Sequence, residues 1–475
     1  MAKNILIFSD GTGQAGGFMP DEARSNVYKL YRATRVSPDT KIKPDEQLAF
    51  YDAGLGSRGD VGGSGHGIKR RIYNMLSQGT GLGITKNIVD CYAAIIRIWE
   101  PGDRIYLFGF SRGAYTARCV AGVLSHCGVP TKMKDGSPLK RDPKSTKAIA
   151  SEAVKDVYQL GSSIKGDPLK SKRMERAFKF RADYGSGDTV VSNSSPYLIA
   201  VWDTVSALGA GWLGLGLMSL LCLILAAIAA LLLKLAAIYF PFGDYLNFSY
   251  LILFLSFSIG VPALLYLIAS LKIRRPASFA RYKMAFYDTR LSPSVSYARH
   301  ALSIDETRKD FARVLWAEEA ENNPLVSSRR EGPIRFKQIW FSGNHSDIGG
   351  SYSENESRLS DIALSWIAEE ATSLPNPLIV DRSVLNLYPS SAGPQHDERE
   401  SFIDSLPNWL SKIALKLIPR AKLGWKEGLR PVPKDAPLHP SVLERFKQER
   451  VLIYGQSIPY RPKNLREHND VKYFY

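Results

Sequence analysis

The chain has 475 residues, 45% of them hydrophobic, which is ample for a packed core and excludes a disordered chain. Its formal net charge is +16, a surface suited to anionic headgroups, acidic ligands or nucleic acid, or only a solubilising bias. Cys91, Cys119, Cys127 and Cys222 lack metal-type spacing; Cys91, Cys119 and Cys222 lie in apolar stretches that read as core or membrane, and free buried thiols in a reducing compartment are the simplest reading.

The first apolar run, Ile5–Phe8, is too short for a secretory signal and reads as a β-strand ending at Ser9-Asp10-Gly11-Thr12. Ile88, Tyr92, Ile95 and Trp99 recur at helical spacing, so 84–99 is an expected amphipathic helix. Pro101-Gly102-Asp103 makes a turn before the apolar strand Ile105–Phe110. Arg112–His126 then reads as a helix with Ala114, Ala117, Ala121 and Leu124 inward. Tyr197–Trp202 is a third strand, ending at Asp203, and Phe336–Phe341 a fourth, ending at Ser342-Gly343-Asn344-His345.

Between the third and fourth strands lie two uncharged runs, 211–233 and 248–271. Each meets the length of about 20 residues that crosses a bilayer. The basic cluster KIRRPASFARYK follows, and the positive-inside rule puts that end in the cytoplasm. The expectation is an integral protein of a bacterial inner membrane with two spans and a cytoplasmic catalytic domain. A pair of buried lid helices is the alternative.

Alternating strands and helices predict an α/β fold, a mostly parallel sheet flanked by helices with an inserted transmembrane helical hairpin. The expected divisions are 1–210 with 272–400 as the catalytic domain, 211–271 as the hairpin, and 401–475 as an extension packing on that domain. The charge-dense 132–183 stretch reads as a solvated helical or loop insertion between strands, with a lid or a contact to anionic headgroups as alternatives. The segment 411–450 reads as a basic amphipathic segment or a docked surface helix. Glycine-rich 62–71 lacks the phosphate-loop pattern and reads as a loop.

Each apolar strand runs straight into polar or glycine-rich residues, where ligand sites of open α/β sheets lie. Gly109-Phe110-Ser111-Arg112-Gly113 matches the nucleophile elbow G-x-S-x-G. A serine on a tight strand-to-helix turn needs small neighbours, and Gly109 and Gly113 supply them. The strand before and the helix after are the context the motif requires.

Serine needs an adjacent base. Of His66, His126, His300, His345, His396, His439 and His468, only His345 directly follows a strand in a glycine-rich loop. Asp203 follows a strand and lies between Ser111 and His345 in sequence, which fits the order Ser, Asp, His. Asp347 is the runner-up acid, more suited to shaping the His345 loop. An oxyanion hole needs two N–H donors. One is expected from Arg112, the other from Gly11 or Thr12, with Asp10 bracing that loop.

FSDGTG, YDAGLGS, the long stretch from GTGLGITKN to GFSRGAYTAR, VWDTVSALG, HALSIDETRKDF and WFSGNHSDIGGSY together resemble the DUF2235 family. That family includes the Tle1-like phospholipase effectors of type VI secretion. The resemblance runs from residue 5 to about residue 370, with a weaker echo in LHPSVLERF and YRPKNL. It implies an α/β-hydrolase fold and esterase or phospholipase A chemistry. It also implies a Ser-Asp-His triad at Ser111, Asp203 and His345.

The expected protein is a membrane-anchored serine hydrolase cleaving acyl esters of phospholipids, with no metal, no cofactor and no nucleic acid partner. The alternatives are an esterase on a soluble acyl ester and a non-catalytic membrane scaffold that keeps the fold.

Overall fold

The computed structural model describes residues 2–11, 23–53, 84–160, 168–205, 291–308, 314, 316, 333–397 and 427–475. Two compact units divide the chain: Met1–Arg70, Leu82–Ser206 and Phe286–Tyr475 form one, Arg71–Gly81 and Ala207–Ala285 the other. Every element below belongs to the first. The second lies outside the described residues.

The first half of the chain holds β1 (Asn4–Ser9), α1 (Asn26–Thr34), β2 (Gln47–Asp52), α2 (Ile84–Ile98), β3 (Arg104–Phe110), α3 (Arg112–Cys127), α4 (Pro143–Glu152), α5 (Lys170–Tyr184) and β4 (Pro196–Trp202). Then come β5 (Tyr297–Ser303), β6 (Phe336–Phe341), α6 (His345–Gly349), α7 (Arg358–Thr372), α8 (Pro440–Lys447), β7 (Val451–Ile453) and β8 (Gln456–Ile458). Strands β1 to β6 form one sheet in the order β2-β1-β3-β4-β5-β6. Every neighbouring pair is parallel.

A parallel sheet is covered on both faces, which is why its strands read as unbroken apolar runs. Leu6, Phe8, Tyr106, Phe108, Leu198 and Ala200 share one core with residues of α1 and α7. Ile5, Ile7, Ile105, Leu107, Ile199 and Val201 are one residue out of phase and equally buried. They point to the opposite face, where α2 and α3 pack on β1 and β3. Each such side chain contributes about 1.5–3 kcal/mol by leaving water.

Strands β2 and β5 depart from this pattern, as does β6, whose FKQIWF is interrupted by Lys337 and Gln338. β2 (QLAFYD) is an edge strand and largely half-buried. β5 (YARHALS) has Arg299 and His300 at its centre, both buried. Their polar groups are satisfied, which is what makes the burial tolerable. Arg299 Nε donates to Glu370 at 2.7 Å. His300 Nδ1 meets Gln338 at 3.1 Å while its Nε2 accepts the Thr204 N–H at 3.3 Å.

The C-terminal residues close the far edge of the sheet. Trp340 N donates to the Pro437 carbonyl at 3.0 Å, and His439 N donates to the Trp340 carbonyl at 2.9 Å. Those bonds cover the otherwise open side of β6. Leu302, Ile304 and Trp340 share a second core with Val442, Phe446, Tyr460, Leu465 and Val471. The 132–183 stretch contains α4 and α5, with Ile149, Ala150, Ala177 and Phe180 buried, so one side of it is packed.

The expected integral membrane protein with two spans is corrected. Among the described residues, no helix is long and apolar enough to cross a membrane. The expectation rests on hydropathy, length and the basic cluster after the second run, and the two runs, 211–233 and 248–271, lie outside the described residues. The inserted hairpin and the cytoplasmic placement of the catalytic domain therefore have no support. Segments 62–71 and 411–426 also lie outside the described residues.

Candidate active site

From β1 the chain crosses to β2 on one side, and β3 lies on the other. That reversal is a switch point in the strand order, and ligands of open α/β sheets usually lie beyond the carboxyl ends of the strands at such a point. Asp10 and Gly11 leave β1 there, and Ser111 leaves β3.

Ser111 has φ 57° and ψ −119°, a backbone region that L residues rarely occupy. It is the cap residue of α3, so the strand turns into the helix at that residue. The flanking glycines are required by space. A β-carbon on Gly109 would fall 2.4 Å from the Gly113 carbonyl oxygen, and one on Gly113 would fall 2.0 Å from the Ser9 carbonyl oxygen. The elbow thus presses on the end of β1. A β-carbon on Gly11 would meet the Ser111 Cβ at 3.5 Å, which puts the β1 loop against the serine.

Asp203 follows β4 directly, is fully buried, and also has positive φ, 38°. His345 follows β6 as the first residue of α6 and is 4% exposed. Its Nδ1–H donates to Asp203 Oδ2 at 2.5 Å. These residues lie 142 positions apart, and the order of the strands brings them together. The His345 ring lies 4.7 Å from the Phe110 ring, next to Ser111 in the chain.

The Asp203 carboxylate accepts four hydrogen bonds. Oδ1 takes the Ser303 N–H at 3.1 Å and Arg430 Nη1 at 2.5 Å. Oδ2 takes His345 Nδ1 at 2.5 Å and Arg430 Nη2 at 3.1 Å. Burial alone would raise this carboxyl, but the Arg430 guanidinium and the His345 hydrogen bond outweigh it and hold Asp203 well below the usual carboxylate range.

Glu306, just beyond β5, supports the base from its backbone. Its Oε2 accepts the His345 N–H at 3.2 Å. Arg308 grips both Glu306 oxygens at 2.7 Å. Burial opposes the charge on Glu306, yet Arg308 keeps its carboxyl low.

Asp347 shapes the His345 loop. It completes a capping box with Asn344 at the start of α6 and accepts His396 Nδ1 at 2.7 Å. Burial pushes its carboxyl up. His396 in turn stacks on Tyr352, ring centres 3.7 Å apart. Asp347 is thus bonded to His396, while the bond to His345 belongs to Asp203.

Asp10 is buried and accepts from Tyr51 Oη at 2.6 Å and Ser25 Oγ at 2.5 Å. It also takes the Gly11 N–H at 2.7 Å. That donor, one of two expected for the oxyanion, is therefore engaged within its own loop. The other, Thr12, lies outside the described residues. Arg112 occupies the first helical position of α3, directly after Ser111.

Of the remaining histidines, His126 sits in the last turn of α3 with Nδ1 on the Gly122 carbonyl at 2.8 Å, away from the elbow. His439 caps α8, and His468 meets the Ala436 carbonyl at 2.9 Å. Sequence reading assigned no role to Arg430 or Glu306. Glu306 and Arg308 stood inside HALSIDETRKDF, a motif recognised but not interpreted. Arg430 lies 227 positions from Asp203 and has no local signal.

The family model for the catalytic domain of Tle1-like phospholipase effectors of type VI secretion matches residues 3–226 and 256–370. The chain belongs to that family. Membership supports a hydrolase of phospholipase or lipase type. An uncharacterized protein of Saccharomyces cerevisiae is 33% identical over 135 residues, 27% of this chain and 18% of that protein. A crystal structure of an uncharacterized protein from Pseudomonas aeruginosa is 15% identical with a TM-score of 0.32, covering 89% of this chain and 51% of that one. The chain thus spans about a fifth of the yeast protein's length and about half of the Pseudomonas chain's.

Proposed function

We propose that the chain is a serine hydrolase that cleaves acyl esters of phospholipids through Ser111, His345 and Asp203. The observation that carries this reading is the 2.5 Å bond between His345 Nδ1 and a buried, ionised Asp203, with the imidazole 4.7 Å from the ring of Phe110, which precedes Ser111 on its strained strand-to-helix turn. Ser111 Oγ attacks the acyl carbonyl carbon. His345 Nε2 takes its proton and delivers it to the departing alcohol. A water molecule, deprotonated by the same imidazole, then releases the fatty acid and restores Ser111. Asp203 fixes the tautomer that leaves Nε2 as the acceptor and stabilises the imidazolium. The Arg112 N–H is one oxyanion donor. Thr12 is the better second candidate, because the Gly11 N–H is bound to Asp10.

The test uses purified full chain with vesicles carrying an acyl-labelled phospholipid, and in parallel a short-chain chromogenic ester. The wild type should release labelled fatty acid. Ser111→Ala, with unchanged circular dichroism, should lose at least about 10⁴-fold in rate. Wild-type rates no higher than those of the variant would overturn the reading. Cleavage of the chromogenic ester with intact vesicles would move the substrate to a soluble acyl ester.

A further inference from the structure

Arg430 sits in the C-terminal part of the chain, beyond residues 3–226 and 256–370 that define the family match. It is 5% exposed and donates through both Nη atoms to Asp203, the carboxylate that also holds His345. An arginine fork on a fully buried carboxylate fixes the carboxylate plane as well as its charge. With the Ser303 N–H and His345 Nδ1, the fork fills the roughly four acceptor positions a carboxylate offers. Asp203 cannot rotate without breaking several of these bonds.

The segment that delivers Arg430 is tied to the exit of β5. Gly428 N donates to the Thr307 carbonyl at 2.8 Å. The Arg430 carbonyl accepts Asn464 Nδ2 at 3.1 Å, and the same amide reaches the Ile304 carbonyl at 2.8 Å. These ties fix the arginine from both ends of the C-terminal region.

Among the described residues, two anions and two cations are bonded at or next to His345. Asp203 and Glu306 face it as anions. Arg430 and Arg308 are the cations paired with them. His300, on β5, lies behind Asp203 with Arg118 near it; burial and Arg118 hold it neutral. With neutral His345 the inner group of four charges sums to zero. When His345 takes the serine proton, the group becomes a net cation.

We propose that Arg430 is a positioning residue of the active site. It locks the Asp203 carboxylate toward His345 Nδ1, and its charge stays paired with that carboxylate. The C-terminal region is on this account part of the catalytic machinery. The proposal rests on the Ser111, His345 and Asp203 reading above.

Two substitutions separate charge from shape. Arg430→Gln removes both the charge and the fork, and kcat should fall about a hundredfold with KM little changed, since the substrate is not touched. Arg430→Lys keeps the charge but loses the fork, and kcat should fall only about tenfold. A partial rescue by lysine at unchanged KM and circular dichroism is not expected of a merely structural contact. If Arg430→Gln fails to fold, the lysine variant alone decides, and wild-type kcat there overturns the proposal. Wild-type kcat in folded Arg430→Gln overturns it as well. Ser111→Ala is assayed alongside. If that variant keeps wild-type activity, the underlying active-site reading fails and Arg430 falls with it. If Ser111→Ala is inactive and the Arg430 variants behave as wild type, only the role of Arg430 falls.

Discussion

Gly349 lies so close over Phe110 that a β-carbon on it would fall 1.9 Å from the Phe110 ring. The glycine ends the short helix that begins with His345, and the phenylalanine precedes Ser111. The contact brings the two halves of the proposed active site together. It sets how near the base loop comes to the elbow.

Gly349→Ala should therefore displace the His345 helix. Overpacking of this kind costs about 1–3 kcal/mol. The expected result is a lower Tm and at least a tenfold loss of ester hydrolysis. Adding Phe110→Leu makes room, so the double variant should recover part of both. Thermal melts and rates of the two single variants and the double variant check this. Additive losses would mean that the two sites do not act through one contact.

Asp203→Asn keeps the size of the side chain but removes its charge. Hydrolysis should fall about 10⁴-fold, because the tautomer of His345 is no longer held. The variant also leaves Arg430 buried opposite a neutral group, which typically costs about 3–5 kcal/mol. The double variant Asp203→Asn with Arg430→Met should regain stability but not activity. Denaturant melts and ester assays separate these outcomes.

His300 gives a pH signature in stability. Burial, followed by the nearby Arg118, depresses it to about 3. The unfolded chain takes up a proton near the ordinary histidine value, about 6.5, and the folded chain does not. The contribution of His300 is thus fully present above about 6.5 and is lost progressively as pH falls toward 3. His300→Gln keeps hydrogen-bonding groups and does not titrate. Its Tm should fall less steeply than that of the wild type between pH 6.5 and pH 4. Parallel slopes in differential scanning fluorimetry would contradict this.

His396 supports the base loop from behind, through Asp347 and the Tyr352 stack. His396→Ala leaves Asp347 buried without that donor. A loop held less firmly should lower kcat about tenfold with KM little changed, since the substrate is not touched. Steady-state kinetics check this, and an equal rise in KM would point to a role in binding instead.

The positions of Ser111, Asp203 and His345 past the ends of β3, β4 and β6 are legible because each of these strands ends in apolar residues. β5 was not, because Arg299 and His300 interrupt its run and become buriable only through Glu370, Gln338 and Thr204, partners that local sequence does not display. β2 was missed for its half-buried, polar-ended sequence at the sheet edge. Arg430 was illegible for a related reason: its partner lies 227 positions away and no pattern links them. The two apolar runs show the opposite limit. Length and hydropathy describe a segment, and the membrane placement inferred from them found no support in the described structure.

The most direct test of the account is covalent trapping. The full chain is treated with a fluorophosphonate, which reacts with serines activated by an adjacent base, and the modified peptide is mapped by mass spectrometry. The account predicts one label, on Ser111, that is lost in His345→Ala and strongly slowed in Asp203→Asn. Labelling of another residue, or labelling of Ser111 at the same rate in His345→Ala, would contradict it.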